Sequence, residues 1–91
     1  MKYEKINNSR IACYDMGDDS EVADRYTVVY VDYPVSPGNK RYNCVGMSAL
    51  PFHPQGVGQH SMAMLGKHLG KRILFKDLPE DCQKLVNQDL A

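Results

Sequence analysis

Nowhere does this chain hold an apolar run near the roughly 18 residues that a membrane-spanning helix needs. Its opening residues, Met1-Lys2-Tyr3-Glu4-Lys5, do not lead into an apolar signal segment. A soluble, cytoplasmic protein is therefore expected. There is no Cys-x-x-Cys spacing: Cys13, Cys44 and Cys82 are odd in number and far apart. That argues against a disulfide framework and for reduced, buried thiols. Internal repeats and low-complexity segments are also missing. The most informative absence is of acid, because no Asp or Glu occurs between Asp32 and Asp77.

The net charge is zero, and that average hides three blocks. From Met1 to Asn39 seven acids face four bases, for −3, with Asp18, Asp19, Glu21 and Asp24 close together. From Lys40 to Lys76 the bases Lys40, Arg41, Lys67, Lys71, Arg72 and Lys76 give +6, and His53, His60 and His68 lie in the same span. From Asp77 to Ala91 four acids face only Lys84, for −3. Blocks of this kind bear on partners, not on fold. At 91 residues, 43% hydrophobic and 24% charged, the chain fits one domain, residues 1–91, and not a disordered segment. A domain this short buries only about 60–65% of its unfolded surface, so a homo-oligomer is expected to support the thin core.

The pattern of elements predicts an α+β fold: a small antiparallel β-sheet, a long functional loop, and a C-terminal amphipathic helix packed on the sheet. Ile11-Ala12-Cys13-Tyr14 reads as a short strand, broken at Gly17-Asp18-Asp19-Ser20. Tyr26 to Tyr33 is dense in β-branched and aromatic residues and apolar on both faces, which predicts a central strand. Pro37-Gly38-Asn39 is a turn, and Arg41 to Met47 is the returning strand. Ser48 to Gly70 reads as a long irregular stretch with one short element around Ser61 to Leu65. Such length is often functional. Arg72 to Phe75 is one more short strand. The helix runs from about Pro79 to Leu90, with Glu80 and Asp81 at the positive end of its dipole. Leu78, Cys82, Leu85, Val86 and Leu90 form its apolar stripe.

Chemistry concentrates between Gly46 and Arg72. Glycines let a backbone approach a ligand and let N–H groups converge on an anion. Here Gly56 and Gly58 stand among the hydrogen-bonding side chains of His53, Gln55, Gln59 and His60, and His68, Lys71 and Arg72 follow. These nine residues are the candidate ligand-binding set, suited to a phosphate-bearing molecule. Gly56-Val57-Gly58 is neither a P-loop nor a dinucleotide fingerprint. The plainer alternative is a tight glycine turn that closes the fold. Three histidines invite a metal, yet a closed zinc site would need a fourth ligand such as Cys44 or a distant Asp. No metal, cofactor or catalytic residue is assigned. Cys44 paired with His53 or His60 would resemble a nucleophile dyad, but its mid-strand apolar context favours an inert thiol. Tyr42 and Phe52 beside six bases are too little to predict nucleic-acid binding without a motif or net positive charge.

Gly46-Met47-Ser48, Pro51-Phe52-His53-Pro54-Gln55-Gly56, Gly58-Gln59-His60, His68 to Ile73 and Asp77 to Gln83 together resemble a pattern found in small uncharacterised proteins of bacteria and their phages. The resemblance covers roughly the last half of the chain. It implies a protein that acts by binding a host protein or a signalling nucleotide, for counter-defence or regulation, and assigns no residue a role. Three functions follow for testing. The first is a non-enzymatic binding protein for a small anionic, nucleotide-like ligand. The second is an interaction module that inhibits a host protein through the loop, with Phe52 as anchor. The third is a small phosphoester or nucleotide hydrolase using His53 or His60 as acid and base.

Overall fold

A computed structural model gives the fold and describes residues 3–18, 22–38 and 40–91. Asp19 and Glu21 of the acidic segment, Ser20 of the first breaker and Asn39 of the predicted turn lie outside the described residues. Among those described, six strands form one antiparallel sheet: β1 (Glu4–Ile6), β2 (Ser9–Asp15), β3 (Tyr26–Pro34), β4 (Arg41–Met47), β5 (Gly58–Met64) and β6 (Lys71–Ile73). One helix, α1 (Glu80–Leu90), ends the chain. The spatial order is β1-β2-β3-β4-β5, and β6 pairs with β2 beyond the end of β1. This is the predicted α+β architecture. No helix is long and apolar enough to cross a membrane among the described residues.

Both faces of β3 are buried from Tyr26 to Val31, as its unbroken apolar run predicts, because the sheet is covered on both sides. On one face Ile11, Val28, Val45 and Met47 pack against Cys82, Leu85 and Val86 of α1. On the other, Ala12, Tyr14, Val29 and Cys44 are capped by Tyr3 and by Leu65 and Leu69 of the β5–β6 connection. The period-2 alternation of strand side chains assigns each residue to its face. Pro79 sits one position earlier than predicted: it is the cap residue, with extended ψ of 150°, and the helix begins at Glu80.

Two elements depart from the sequence-based expectation. β1 was not predicted, and a two-residue turn at Asn7 (φ 51°) and Asn8 (φ 67°) joins it to β2. Asn tolerates positive φ, and two such residues in succession form the hairpin turn whose twist matches antiparallel strands. The stretch from Ser48 to Gly70 is not one irregular connection either. β5 divides it, pairing all seven of its residues with β4 from Met47↔Gly58 to Arg41↔Met64. Gly-Gln-His-Ser-Met-Ala-Met has little β-propensity of its own, so pairing with β4 decides its conformation. What remains before β5 is a loop over 48–57. Its base is closed by the Ser48 N–H donating to Val57 O (2.8 Å) and the Val57 N–H donating to Ser48 Oγ (2.9 Å). All three cysteines are free and buried, as expected.

Candidate functional sites

A cavity of about 590 Å³ opens between β2 and the 66–72 segment. Its wall is Tyr14, Gly66, Lys67, Gly70, Lys71 and Arg72. Gly70 makes this approach possible. It has φ +108°, and a Cβ there would come within 2.4 Å of the Asp15 carbonyl oxygen. Glycine alone fits both demands, and the chain then enters β6 with Arg72 opposite Tyr14 and Lys71 opposite Asp15. The Arg72 guanidinium carbon stands 5.5 Å from the ring centroids of both Tyr3 and Tyr14, in cation–π range. Tyr14 is 3% exposed. Its hydroxyl is the one buried side-chain polar atom among the described residues that has no hydrogen-bond partner. Such an atom usually has a water or a ligand as its partner.

No acid lines this cavity. The nearest carboxylate by register is Asp15, beside Lys71. It is already engaged by Arg25, whose Nε and Nη2 donate at 2.7 and 3.1 Å, and by the Gly17 N–H at 2.8 Å. The hydrogen bond from Arg25 is the main reason its pKa lies below the ordinary aspartate value. Asp15 therefore stays ionised and bound to Arg25, and the charged residues of the cavity wall are Lys67, Lys71 and Arg72.

The nine candidate residues do not converge. Lys71 and Arg72 line the basic cavity, while His68 lies on the short 3₁₀ turn Lys67–Leu69 and is exposed. His53, Gln55 and Gly56 border a shallow hollow with Ser48, Ala49 and Leu50. His53 serves the loop itself, because its Nδ1 accepts the Gln55 N–H at 3.1 Å. Gly56, Gly58 and Gln59 face a third hollow together with Ala23 and Asp24. There the Asp24 carboxylate presses on the backbone: a Cβ at Gly46 would lie 2.8 Å from Asp24 Oδ2. A carboxylate at that place opposes the anion nest that the glycines invite in sequence.

His60 belongs to a fourth concavity, of about 280 Å³, lined by Tyr30, Tyr33, Asn43, Cys44, Asp89 and Leu90 as well. Its Nε2 lies 2.8 Å from Asp89 Oδ2. The same carboxylate oxygen accepts the Tyr30 hydroxyl. The Asp89 side chain is 20% exposed and the His60 side chain 62%. Burial first, and the Asp89 hydrogen bond second, hold the Tyr30 phenol well above the ordinary tyrosine pKa. Tyr30–Asp89–His60 thus forms a chain of polar groups that ends in an accessible imidazole. The carboxylate missing from the loop in sequence is supplied by the last turn of α1.

Removing Asp89 strands a buried phenol that otherwise bonds to an ionised group, a contact worth about 1.5–3 kcal/mol. Asp89→Ala is expected to lose about 2 kcal/mol in urea denaturation, and to lose far less in a Tyr30→Phe background. Equal losses in both backgrounds would show that the bond contributes nothing. Tyr14, Lys67, Tyr30 and Asp89 were not among the sequence candidates. Asp89 did leave a signal, since an acid in the last turn of a helix opposes the dipole and needs a tertiary partner to offset it. No protein-family model, curated protein or solved structure matches the chain.

Proposed function

We propose that the protein binds a small phosphate-bearing, nucleotide-like ligand in the cavity between β2 and the 66–72 segment. The observation that carries this is a cavity of about 590 Å³ bordered by Lys67, Lys71 and Arg72 and by no acid, with Tyr14 as its aromatic wall. A volume of about 590 Å³ lies within the range of small-molecule sites. Lys67 and Lys71 act as point charges for phosphate oxygens, and Arg72 holds its charge beside them over the Tyr3 and Tyr14 rings.

Calorimetry against a panel of nucleotides, cyclic ones included, tests this directly. A member of the panel is expected to bind more tightly than millimolar. Lys67→Ala and Lys71→Ala should each weaken it about tenfold, the value of one charge-assisted hydrogen bond. If no nucleotide binds below millimolar, the proposal is wrong.

A hydrolytic role is favoured by one specific observation, the Asp89 carboxylate on His60 Nε2. An imidazole oriented in this way presents its other nitrogen as a proton acceptor. The His60 concavity shares no lining residue with the basic cavity and carries no Lys or Arg in its wall. Nucleotide turnover that disappears in both His60→Ala and Asp89→Asn would establish the role. Binding without turnover leaves the protein a binder.

A further inference from the structure

β5 is an edge strand. It pairs with β4 on one side, and no strand lies beyond it among the described residues. Every second residue of such a strand directs its N–H and C=O away from the sheet, where they form a template for another strand. Natural edges are usually guarded by charge, proline, bulges or brevity. The opposite edge of this sheet is guarded: β1 and β6 have three residues each, and they carry Glu4, Lys5, Lys71 and Arg72. β5 has seven residues, Gly-Gln-His-Ser-Met-Ala-Met, with no Lys, Arg, Asp, Glu or Pro. Met62 and Met64 on it are 54% and 47% exposed.

We infer that β5 is the interface through which two copies of this chain associate, by antiparallel pairing of β5 with β5 of the second copy about a two-fold axis at Ser61. The occupant is a second copy because the strand is complementary to itself in charge and in size. The segment is uncharged apart from His60, and His60 is already paired with Asp89, so two copies meet without like-charge repulsion. A two-fold axis at Ser61 sets Gly58 opposite Met64 of the other copy and His60 opposite Met62. The long methionine side chains then meet a residue without a side chain and a flat ring. Ser61 meets Ser61, a pair that cross-strand hydrogen bonding favours. The result is a single sheet running through both copies, with the exposed methionines covered. An isologous contact of this type closes at the dimer and does not propagate. It is independent of the anion cavity, which lies at the far side of the sheet on β2 and β6.

Sedimentation equilibrium of the full chain across the micromolar range tests the inference. The protein is expected to pass from monomer to dimer with rising concentration. The Met62→Lys/Met64→Lys variant places four new cations at each dimer interface, and should weaken association by about tenfold or more. Both methionines are exposed in the monomer, so the variant should keep the parent's circular dichroism and melting temperature. Hydrogen exchange supplies the second measurement: amides of β5 should become protected as concentration rises, while those of β1 and β6 should not. A protein that stays monomeric throughout the range overturns the inference. So does a dimer whose β5 amides show no added protection, or a lysine variant that associates like the parent.

Discussion

Raising the pH above 9 is expected to drain the stability of this protein and unfold it cooperatively between about pH 10 and 11. Burial pushes the Cys13 thiol up to about 12, and the nearby Glu4 charge adds to this. Burial likewise pushes Cys82 up to about 11, with Asp81 adding to it. Tyr30 is raised as well. In the unfolded chain the thiols ionise near 9.0. Between pH 9 and the folded-state values the unfolded chain therefore releases protons that the native protein retains, and stability falls as pH rises. Below pH 9 these groups are neutral in both states and the loss is absent. Each thiol contributes about 1.4 kcal/mol per pH unit within its window, or on the order of 4 kcal/mol for Cys13 in full. Small domains hold only about 5–15 kcal/mol in total, so a few such terms are enough. Far-UV circular dichroism against pH, with Ellman reactivity of the thiols, reads the effect. Cys13→Ala removes the titrating thiol without overfilling the core and should flatten the alkaline decline. If the native thiols react at pH 8 as fast as free cysteine, they are not buried as described.

Gly56→Ala is expected to cost about 3 kcal/mol, roughly 15 °C in melting temperature for a domain of this size. A Cβ at Gly56 would come within 1.9 Å of the Leu50 carbonyl oxygen and 3.1 Å of the His53 carbonyl oxygen. Both atoms are backbone, so neither can rotate away. The same turn is held by the His53 N–H donating to Leu50 O at 3.1 Å and the Gly56 N–H donating to His53 O at 2.8 Å. Relief of the clash must break those bonds and loosen the loop base at Ser48, where the Cys82 thiol also donates to the carbonyl at 3.1 Å. Gly38→Ala is the control. Its Cβ would meet nothing within 4 Å, and only the φ of +77° is unfavourable, for a cost of about 1 kcal/mol. Thermal denaturation of the two variants separates close packing from φ preference. A Gly56→Ala protein as stable as its parent would return this glycine to the role of ligand contact.

Much of the frame was legible in the sequence because it depends on local pattern. The β-branched, aromatic run reads as a strand, and it is covered on both faces from Tyr26 to Val31. The stripe from Leu78 to Leu90 is helical by spacing, with acids in its first turn. β5 was harder to read, because its residues have no strand preference and become a strand by hydrogen-bonding to β4. β1 was legible in principle through Asn7-Asn8, a pair that tolerates two successive positive φ values.

The candidate site was legible in composition and not in position. By itself the sequence determined that six bases and three histidines share a span without acid, that the thiols are reduced, and that a helix packs on a small antiparallel sheet. Only the tertiary structure decided that this acid-free span is not acid-free in space. Asp24 reaches the backbone beside the glycines, Asp89 bonds His60, and Asp15 lies beside Lys71 with its charge already engaged by Arg25. The physical reason is that electrostatic environment depends on distance through space, and the fold brings together His60 and Asp89, 29 positions apart in the chain, and Asp15 and Lys71, 56 positions apart. What survives as a basic cavity is the short Lys67–Arg72 segment, and Tyr14 of β2, invisible to any local motif, completes it.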